Sequence, residues 1–333
     1  MLPIPFLISI FLAFFASFLS LPWLIRYLRR IGLTVKDQHK EGFPLVPLSG
    51  GISVFIGFMA GIMSFIFFFT FLFPNETWLT SSSLTLLFAS ILTIFIIMFI
   101  GFIDDLLITK SHIASAGLRQ WQKPLLTLIA AIPLMVVNAG TSHLLVPFVG
   151  RVEFGLIYPL LLVPLGVLGA ANMVNLFAGF NGLESGLGII YLTSLGSYAY
   201  FHGRIIAAII AFVTLAALLA FYFFNRYPAK ILPGDSLTYL LGAVLASIAI
   251  IGNLEKATLI VSIPFFLEFF LKLRGKFQKK TVGTLQDGKI VSRYDHVYSL
   301  PHFFMRKPQY TERQIVSFMF LIELVFALLI WVV

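Results

Sequence analysis

The sequence predicts an all-α, polytopic membrane protein: about ten membrane-spanning helices, polar loops on the cytoplasmic side, and a small hairpin in the last of those loops. Three observations predict it. Of 333 residues, 59% are hydrophobic and only 11% are charged, too little polar surface for a soluble domain of this length. Phenylalanine supplies 37 residues, which suits lipid-facing helices better than a wetted exterior. The apolar residues fall into runs close to the roughly 20 residues that a helix needs to cross the hydrocarbon. No polar segment is long enough to fold alone, so 1–333 reads as one membrane-embedded domain.

The runs lie at about 4–27, 50–73, 84–103, 124–140, 156–177, 185–200, 204–224, 237–252, 257–273 and 315–333. Met1 leads into the first without a basic n-region or a cleavage site, so that run reads as a retained helix and not a signal peptide. Alternate loops share a side. The set 28–49, 104–123, 178–184, 225–236 and 274–314, with flanks, carries 20 of the 23 Lys and Arg residues, leaving only Arg151, Arg204 and Lys256 opposite. The positive-inside rule therefore puts this set in the cytoplasm and both termini outside. Asn75-Glu76-Thr77 then falls outside, as an N-glycan acceptor or a chance sequon. The net charge of +9 orients the chain and meets anionic lipid, so no nucleic-acid partner is expected. With no cysteine, any metal must be held by oxygen or imidazole.

Polar groups at helix ends carry the candidate chemistry. Asp104-Asp105 follows the third run. Adjacent carboxylates repel unless a cation sits beside them, and hard cations such as Mg²⁺ take such oxygens. A solvated helix end is the alternative, yet acids are disfavoured at a helix C-terminus, and ionisable residues at membrane depth are functional by default. The stretch from Asn172 to Gly186 holds Asn172, Asn175, Asn181 and Glu184. Asn172 and Asn175, three apart, share a helical face. Gly179 and Gly182 would break the helix and let backbone approach a ligand, which membranes tolerate around a cavity. A glycine-rich turn with asparagine caps is the alternative.

In Leu232-Pro233-Gly234-Asp235-Ser236, Asp235 is placed either to N-cap the eighth run or to hold a metal or phosphate at a helix N-terminus. Lys276, Lys279 and Lys280 follow the ninth run, to touch headgroups or to clamp a pyrophosphate. Asp287-Gly288 signals a hairpin between Thr284-Leu285-Gln286 and Lys289-Ile290-Val291. Lys36-Asp37-Gln38-His39-Lys40 adds polar groups on the same side. All these clusters fall on the side assigned from Lys and Arg alone, which points to a metal-dependent site of phosphate chemistry.

Gly101-Phe102-Ile103-Asp104-Asp105, Asn172 through Gly186, and Asn225-Arg226-Tyr227-Pro228 through Gly234-Asp235 together resemble the polyprenyl-phosphate N-acetylhexosamine-1-phosphate transferase superfamily. The similarity runs from Asp37 to the end of the ninth run. It looks most like the eukaryotic and archaeal UDP-GlcNAc–dolichyl-phosphate GlcNAc-1-phosphate transferase branch. The resemblance implies ten transmembrane helices, termini outside and a cytosolic catalytic face. It implies transfer of GlcNAc-1-phosphate, or a related sugar 1-phosphate, from a UDP-sugar to a polyprenyl or dolichyl phosphate. UMP leaves, and the product is a lipid-linked pyrophosphate sugar, the first intermediate of an N-glycan precursor.

By motif position, Asn175 and Asp235 would hold Mg²⁺, with Mn²⁺ as the alternative ion. Asp104 and Asp105 would lie beside the reacting phosphates, and Lys123, in Trp121-Gln122-Lys123-Pro124, would meet phosphate. Gly179 and Asn181 would contact the uracil; Asn172, Glu184 and Lys40 complete the implied substrate contacts. Where the family carries an Arg-His-Arg-like or histidine-rich motif, this chain reads Phe277-Gln278-Lys279-Lys280, and Lys279 is the substitute for the sugar-phosphate-binding base. The lack of a histidine-rich motif sets the chain apart from the bacterial muramyl-pentapeptide members. The short loops point to an archaeal plasma membrane over an endoplasmic reticulum, and the one protein partner expected is a second copy of the chain, in a homodimer.

Three rivals follow from the residues alone. A secondary transporter also uses broken helices and intramembrane polar groups, but its site lies near the midplane and within repeats, and none is detected here. An intramembrane aspartyl protease built on Asp104 and Asp235 would want Gly-x-Gly-Asp in place of Leu232-Pro233-Gly234-Asp235. A purely structural protein would leave the aligned polar loops without a purpose.

Overall fold

The computed structural model describes residues 4–74, 78–110, 117–146 and 150–332. The sequon Asn75-Glu76-Thr77 lies outside them. Among the described residues twelve α-helices run in chain order: α1 (Ile4–Arg30), α2 (Gly51–Phe67), α3 (Ser81–Lys110), α4 (Gln122–Ile129), α5 (Ile132–Val136), α6 (Val163–Leu176), α7 (Leu183–Phe201), α8 (Ile205–Asn225), α9 (Gly234–Gly252), α10 (Glu255–Val261), α11 (Ile263–Arg274) and α12 (Glu312–Leu329). Among the described residues six segments are long and apolar enough to cross a membrane: Ile4–Arg30, Gly51–Leu72, Ser81–Thr109, Tyr158–Leu176, Ile205–Asn225 and Gly234–Gly252. The chain is thus a polytopic helical membrane protein.

The other four predicted runs are helical as well. Those at 185–200 and 315–333 are α7 and α12, while those at 124–140 and 257–273 are each broken in two. The breaks have a local cause. Pro133 and Pro264 each stand at the start of the second half, where a proline is tolerated but cannot donate back into the preceding turn.

The expectation of one hairpin in an otherwise all-α chain needs correcting. Among the described residues three antiparallel two-stranded sheets are present: β1 (Thr34–Lys36) with β2 (Leu45–Pro47), β3 (His143–Val146) with β4 (Gly150–Glu153), and β5 (Thr284–Gln286) with β6 (Lys289–Val291). The last is the predicted one. Asp287 and Gly288 both have positive φ, +46° and +74°, as the tight hairpin turn of that sequence requires. The other strands are too short for an alternating pattern to reveal them.

The bundle is built around α9, which packs on α2, α3, α6 and α8 and buries Leu237, Leu240, Leu241 and Val244 completely. Large apolar side chains meanwhile cover the outside, among them Phe11, Leu19, Phe71, Phe88 and Leu160. An apolar exterior of this kind is expected where lipid is the solvent.

Candidate active site

The site forms where helix ends meet. The C-terminal part of α3 brings Asp104 and Asp105, the end of α6 brings Asn175, the first turn of α4 brings Lys123, and the first turn of α9 brings Asp235. Acids from the end of one helix and the start of its neighbour gather because α3 and α9 run antiparallel. Their backbones touch here. A Cβ on Gly101 would run into the Asp235 carbonyl oxygen, and one on Gly234, at φ +68°, into Asp105 Oδ2. Glycine is required at both positions by this approach.

Lys123 Nζ donates to Asp104 Oδ2 at 2.6 Å and to Asp235 Oδ2 at 2.8 Å. One ammonium thus bridges carboxylates from two helices and offsets the cost of bringing them together. The Asp104 side chain is fully buried, whereas those of Lys123 and Asp235 each remain 22% exposed. Asp104 Oδ1 also accepts the Leu118 amide, over Gly117, where a Cβ would stand 2.6 Å from the same oxygen.

Asp105 faces the other way. Its Oδ1 accepts the Asp235 amide at 2.8 Å, and its Oδ2 accepts the Ser236 amide at 3.2 Å and the Ser49 hydroxyl at 2.7 Å. A helix start leaves such amides without intrahelical partners, and α9 has no side-chain cap of its own, its N-cap being Pro233. Of the two roles read for Asp235, the cap of its own helix is therefore not the one it takes. Asp105 caps α9 from α3, which frees the Asp235 carboxylate to face Lys123 and Asn175.

Asn175 Nδ2 donates to Asp235 Oδ2 at 3.2 Å, and its Oδ1 accepts the Thr238 hydroxyl at 2.7 Å. With the amide turned over, its NH₂ would donate to the Thr238 hydroxyl and its oxygen would face the Asp235 carboxylate, two acceptors that come together only around a cation. Two oxygens on adjacent helices are a donor set that fits a small hard cation, which keeps water and phosphate oxygens in its remaining positions. Among the described residues no group of three or more His, Cys, Asp or Glu forms a ready-made cage. Asp105 is spent on amides and Asp104 on Lys123 and Leu118. Asn172, on the same helix, is used as a bolt: it donates to Thr127 Oγ1 at 3.0 Å and to the Leu168 carbonyl at 2.8 Å, and accepts from Tyr239 at 3.4 Å.

Beside Asp235 lies a cavity of about 270 Å³, walled by Lys36–Gln38, the turn from Ala178 to Asn181, Glu184, Pro233–Asp235, Thr238 and Val282. The predicted helix break is there. α6 stops at Leu176, Gly179 has φ +129°, and Gly182, at φ +80°, precedes α7. The Gly179 amide donates to Glu184 Oε1 at 2.8 Å. The other oxygen of this buried glutamate has no hydrogen-bond partner among the described residues.

Asn181 is saturated. Its amide and Nδ2 donate to Glu312 Oε1 at 2.7 and 2.8 Å, its Nδ2 reaches Asp37 Oδ2 at 3.0 Å, and its Oδ1 accepts the Ala229 amide at 2.7 Å. Lys40 joins this group, 2.6 Å from Glu312 Oε2 and 3.7 Å over the Tyr227 ring, and does not line the cavity. Nor does Lys279; its ammonium stands 5.1 Å over Tyr294 and 5.8 Å over Tyr298. Sequence reasoning named neither Asp37 nor Glu312 as a site residue. Glu312 reads in sequence only as an acid in the first turn of a helix, where acids are common.

Fold and site define a polytopic membrane protein with an acid- and amide-lined cavity at one end of its bundle. The chain belongs to glycosyl transferase family 4, whose model matches residues 87–253. That segment holds Asp104, Asp105, Lys123, Asn172 through Glu184, and Asp235; Lys40, Lys279 and Glu312 lie outside it. The chain is 32% identical, over 97% of its length and 95% of the relative's, to a Saccharolobus solfataricus protein provisionally named UDP-N-acetylglucosamine–dolichyl-phosphate N-acetylglucosaminephosphotransferase. It is 27% identical, over 83% and 75% of the two chains, to a Bacillus subtilis protein provisionally named undecaprenyl-phosphate N-acetylglucosaminyl 1-phosphate transferase. It is 29% identical, over 96% of each chain, to the phospho-N-acetylmuramoyl-pentapeptide-transferase of Streptococcus equi subsp. zooepidemicus.

Proposed function

We propose that the chain transfers GlcNAc-1-phosphate, or a related N-acetylhexosamine 1-phosphate, from a UDP-sugar to a polyprenyl or dolichyl phosphate. The observation that carries this reading is the convergence of Asp104, Lys123, Asn175 and Asp235 beside a polar cavity at a membrane-bundle end. The names of the relatives agree with it. In the reaction an oxygen of the lipid phosphate bonds to the sugar-bearing phosphorus, the bridging P–O bond breaks, and UMP leaves. The acceptor's second pKa is roughly 6, so much of it is already dianionic at neutral pH and needs no strong base. Bringing two anions together is the harder task, so positioning and charge dominate.

Asn175 and Asp235 would hold a Mg²⁺ (or Mn²⁺), which supplies charge to the donor's pyrophosphate. Asp104 orients the lipid phosphate or takes its residual proton. Lys123, already shared between two carboxylates, offers its ammonium to phosphate oxygens. Asp105 holds Asp235 in place through the backbone of α9. Gly179, Asn181 and Glu184 shape the cavity for the donor, and the free Glu184 oxygen accepts a hydrogen bond from it. Asn172 keeps α4, α6 and α9 in register, and Lys40 secures the loop that faces the donor. Lys279 is the candidate base for the sugar phosphate.

In this reading the 1–333 chain is one domain of ten spans, with α7, α12 and the two broken pairs completing the six long helices. The basic loops face the cytoplasm, the termini lie outside, and an archaeal plasma membrane is the favoured location. A homodimer is the assembly to test. Polar groups at helix ends, away from the midplane, do not favour a transporter. Release of UMP by purified protein from UDP-GlcNAc and a polyprenyl phosphate tests the reaction, with Mg²⁺ present or chelated. Release that needs both the lipid phosphate and the metal is expected; release indifferent to either would overturn the reading.

A further inference from the structure

A crevice of about 520 Å³ opens between the end of α8 and the first turns of α12. Arg226, Lys230 and Arg313 line it, and all three are exposed. Among the described residues none of them is paired with a carboxylate, and the nearest acid in sequence, Glu312, is committed to Lys40 and Asn181. The Arg313 guanidinium lies 4.6 Å over the Tyr227 ring and donates to the Tyr227 carbonyl at 3.4 Å, while Arg226 stands 5.7 Å from the Phe223 ring. Phe223, itself 52% exposed, and Phe320 give the crevice an apolar side.

The depth of this crevice identifies its ligand. The apolar span of α8 ends at Asn225, so the three cations stand where hydrocarbon gives way to headgroups, with aromatic side chains on the hydrocarbon side. Cations there attract anionic lipid, and guanidinium groups recognise phosphate by paired hydrogen bonds. Charges that only orient the chain need not converge on one crevice. We propose that this crevice is a binding site for the headgroup of an anionic phospholipid, its phosphate among Arg226, Lys230 and Arg313 and its acyl chains along Phe223 and Phe320. The site is separate from the reacting centre, although Asn181 stands in the walls of both.

The test is native mass spectrometry of the full chain, counting phosphatidylglycerol retained against phosphatidylcholine. It reads binding and not turnover, so its outcome is independent of the proposed reaction. Each cation near an anionic surface is worth about fivefold in affinity, so Arg226→Gln, Lys230→Gln and Arg313→Gln together should weaken retention on the order of a hundredfold. Arg306→Gln with Lys307→Gln, exposed in the loop before α12, should leave it unchanged. Equal retention by the triple variant, or an equal loss in the Arg306/Lys307 control, would overturn the site. Displacement of the lipid by inorganic phosphate would overturn the lipid assignment in favour of a water-borne anion, and preferential retention of polyprenyl phosphate would assign the crevice to the acceptor instead. Melting in phosphatidylcholine checks the fold. Should the triple variant not fold, Lys230→Gln alone, which removes no side-chain hydrogen bond, should still cost about fivefold.

Discussion

Two polar clusters serve the same cavity, and they are built on opposite terms. In the inner one, Asp104 and Asp235 share the single Lys123 ammonium, Asn175 donates to Asp235, and Lys123 and Asp235 keep some exposure. In the outer one, Asp37, Lys40, Asn181 and Glu312 bind one another, and the polar atoms of the Asn181 side chain are all used internally. Partners of the first kind can be exchanged for a ligand's oxygens. Partners of the second kind cannot be exchanged without the wall coming apart. The inner cluster is equipped for chemistry and the outer one for shape.

The strongest way to break this comparison is Asp235→Ala. Loss of a preorganised charge at a reacting centre should lower UMP release by about a thousandfold or more, with melting in detergent little changed. A variant that melts far lower would mean that Asp235 is structural, like the outer group. Next comes Gly101→Ala, which sets a Cβ against the Asp235 carbonyl. Overpacking of this kind costs about 1–3 kcal/mol, so both melting temperature and turnover should fall, joining fold to chemistry at one contact.

Glu312→Gln sharpens the other side. It keeps the size but weakens the hold on Lys40 and Asn181, and hydrogen bonds to a charged group are worth about 1.5–3 kcal/mol. KM for the UDP-sugar should rise about tenfold or more while kcat stays close to its original value; a fall in kcat alone would move Glu312 into the inner class. The smallest effect lies behind the outer wall. His39 Nε2 accepts the Gly283 amide at 3.2 Å, and from the far side His302 Nε2 meets the Thr281 carbonyl at 3.2 Å. Burial, helped by the charge of Lys272, holds the His302 imidazole down at about 4 against the usual 6.5. Between those values the unfolded chain binds the extra proton, so its contribution is full above pH 6.5 and is lost as pH falls toward 4. Melting temperature should drop across that window, and less so in His302→Asn.

Much of this was legible in the sequence, for definite reasons. Apolar runs near helix-crossing length located the helices, and Asp287-Gly288 located the last hairpin to the residue. Asp104, Asp235 and the Asn172–Gly186 run stood out because polar groups are rare among such neighbours. Asp105 was legible as a site residue but not in its task, since only the fold shows that it reaches amides 130 residues away. Glu312 meets Asn181 across 131 residues, and no local pattern marks such a pair. Strands of three or four residues fall below any periodicity, and the prolines that break two spans look in sequence like ordinary members of apolar runs.

The attachment of Glu312 to the Asn181 turn has a consequence for how the protein is made. A ribosome delivers α1 through α9, and with them every carboxylate of the inner cluster, well before α12 exists. Until that last helix inserts beside α7, the turn around Asn181 lacks the acceptor that receives two of its donors. The cavity wall is therefore finished only once α12 has been made, and a nascent chain holding the reacting groups does not yet hold the shape that admits a donor.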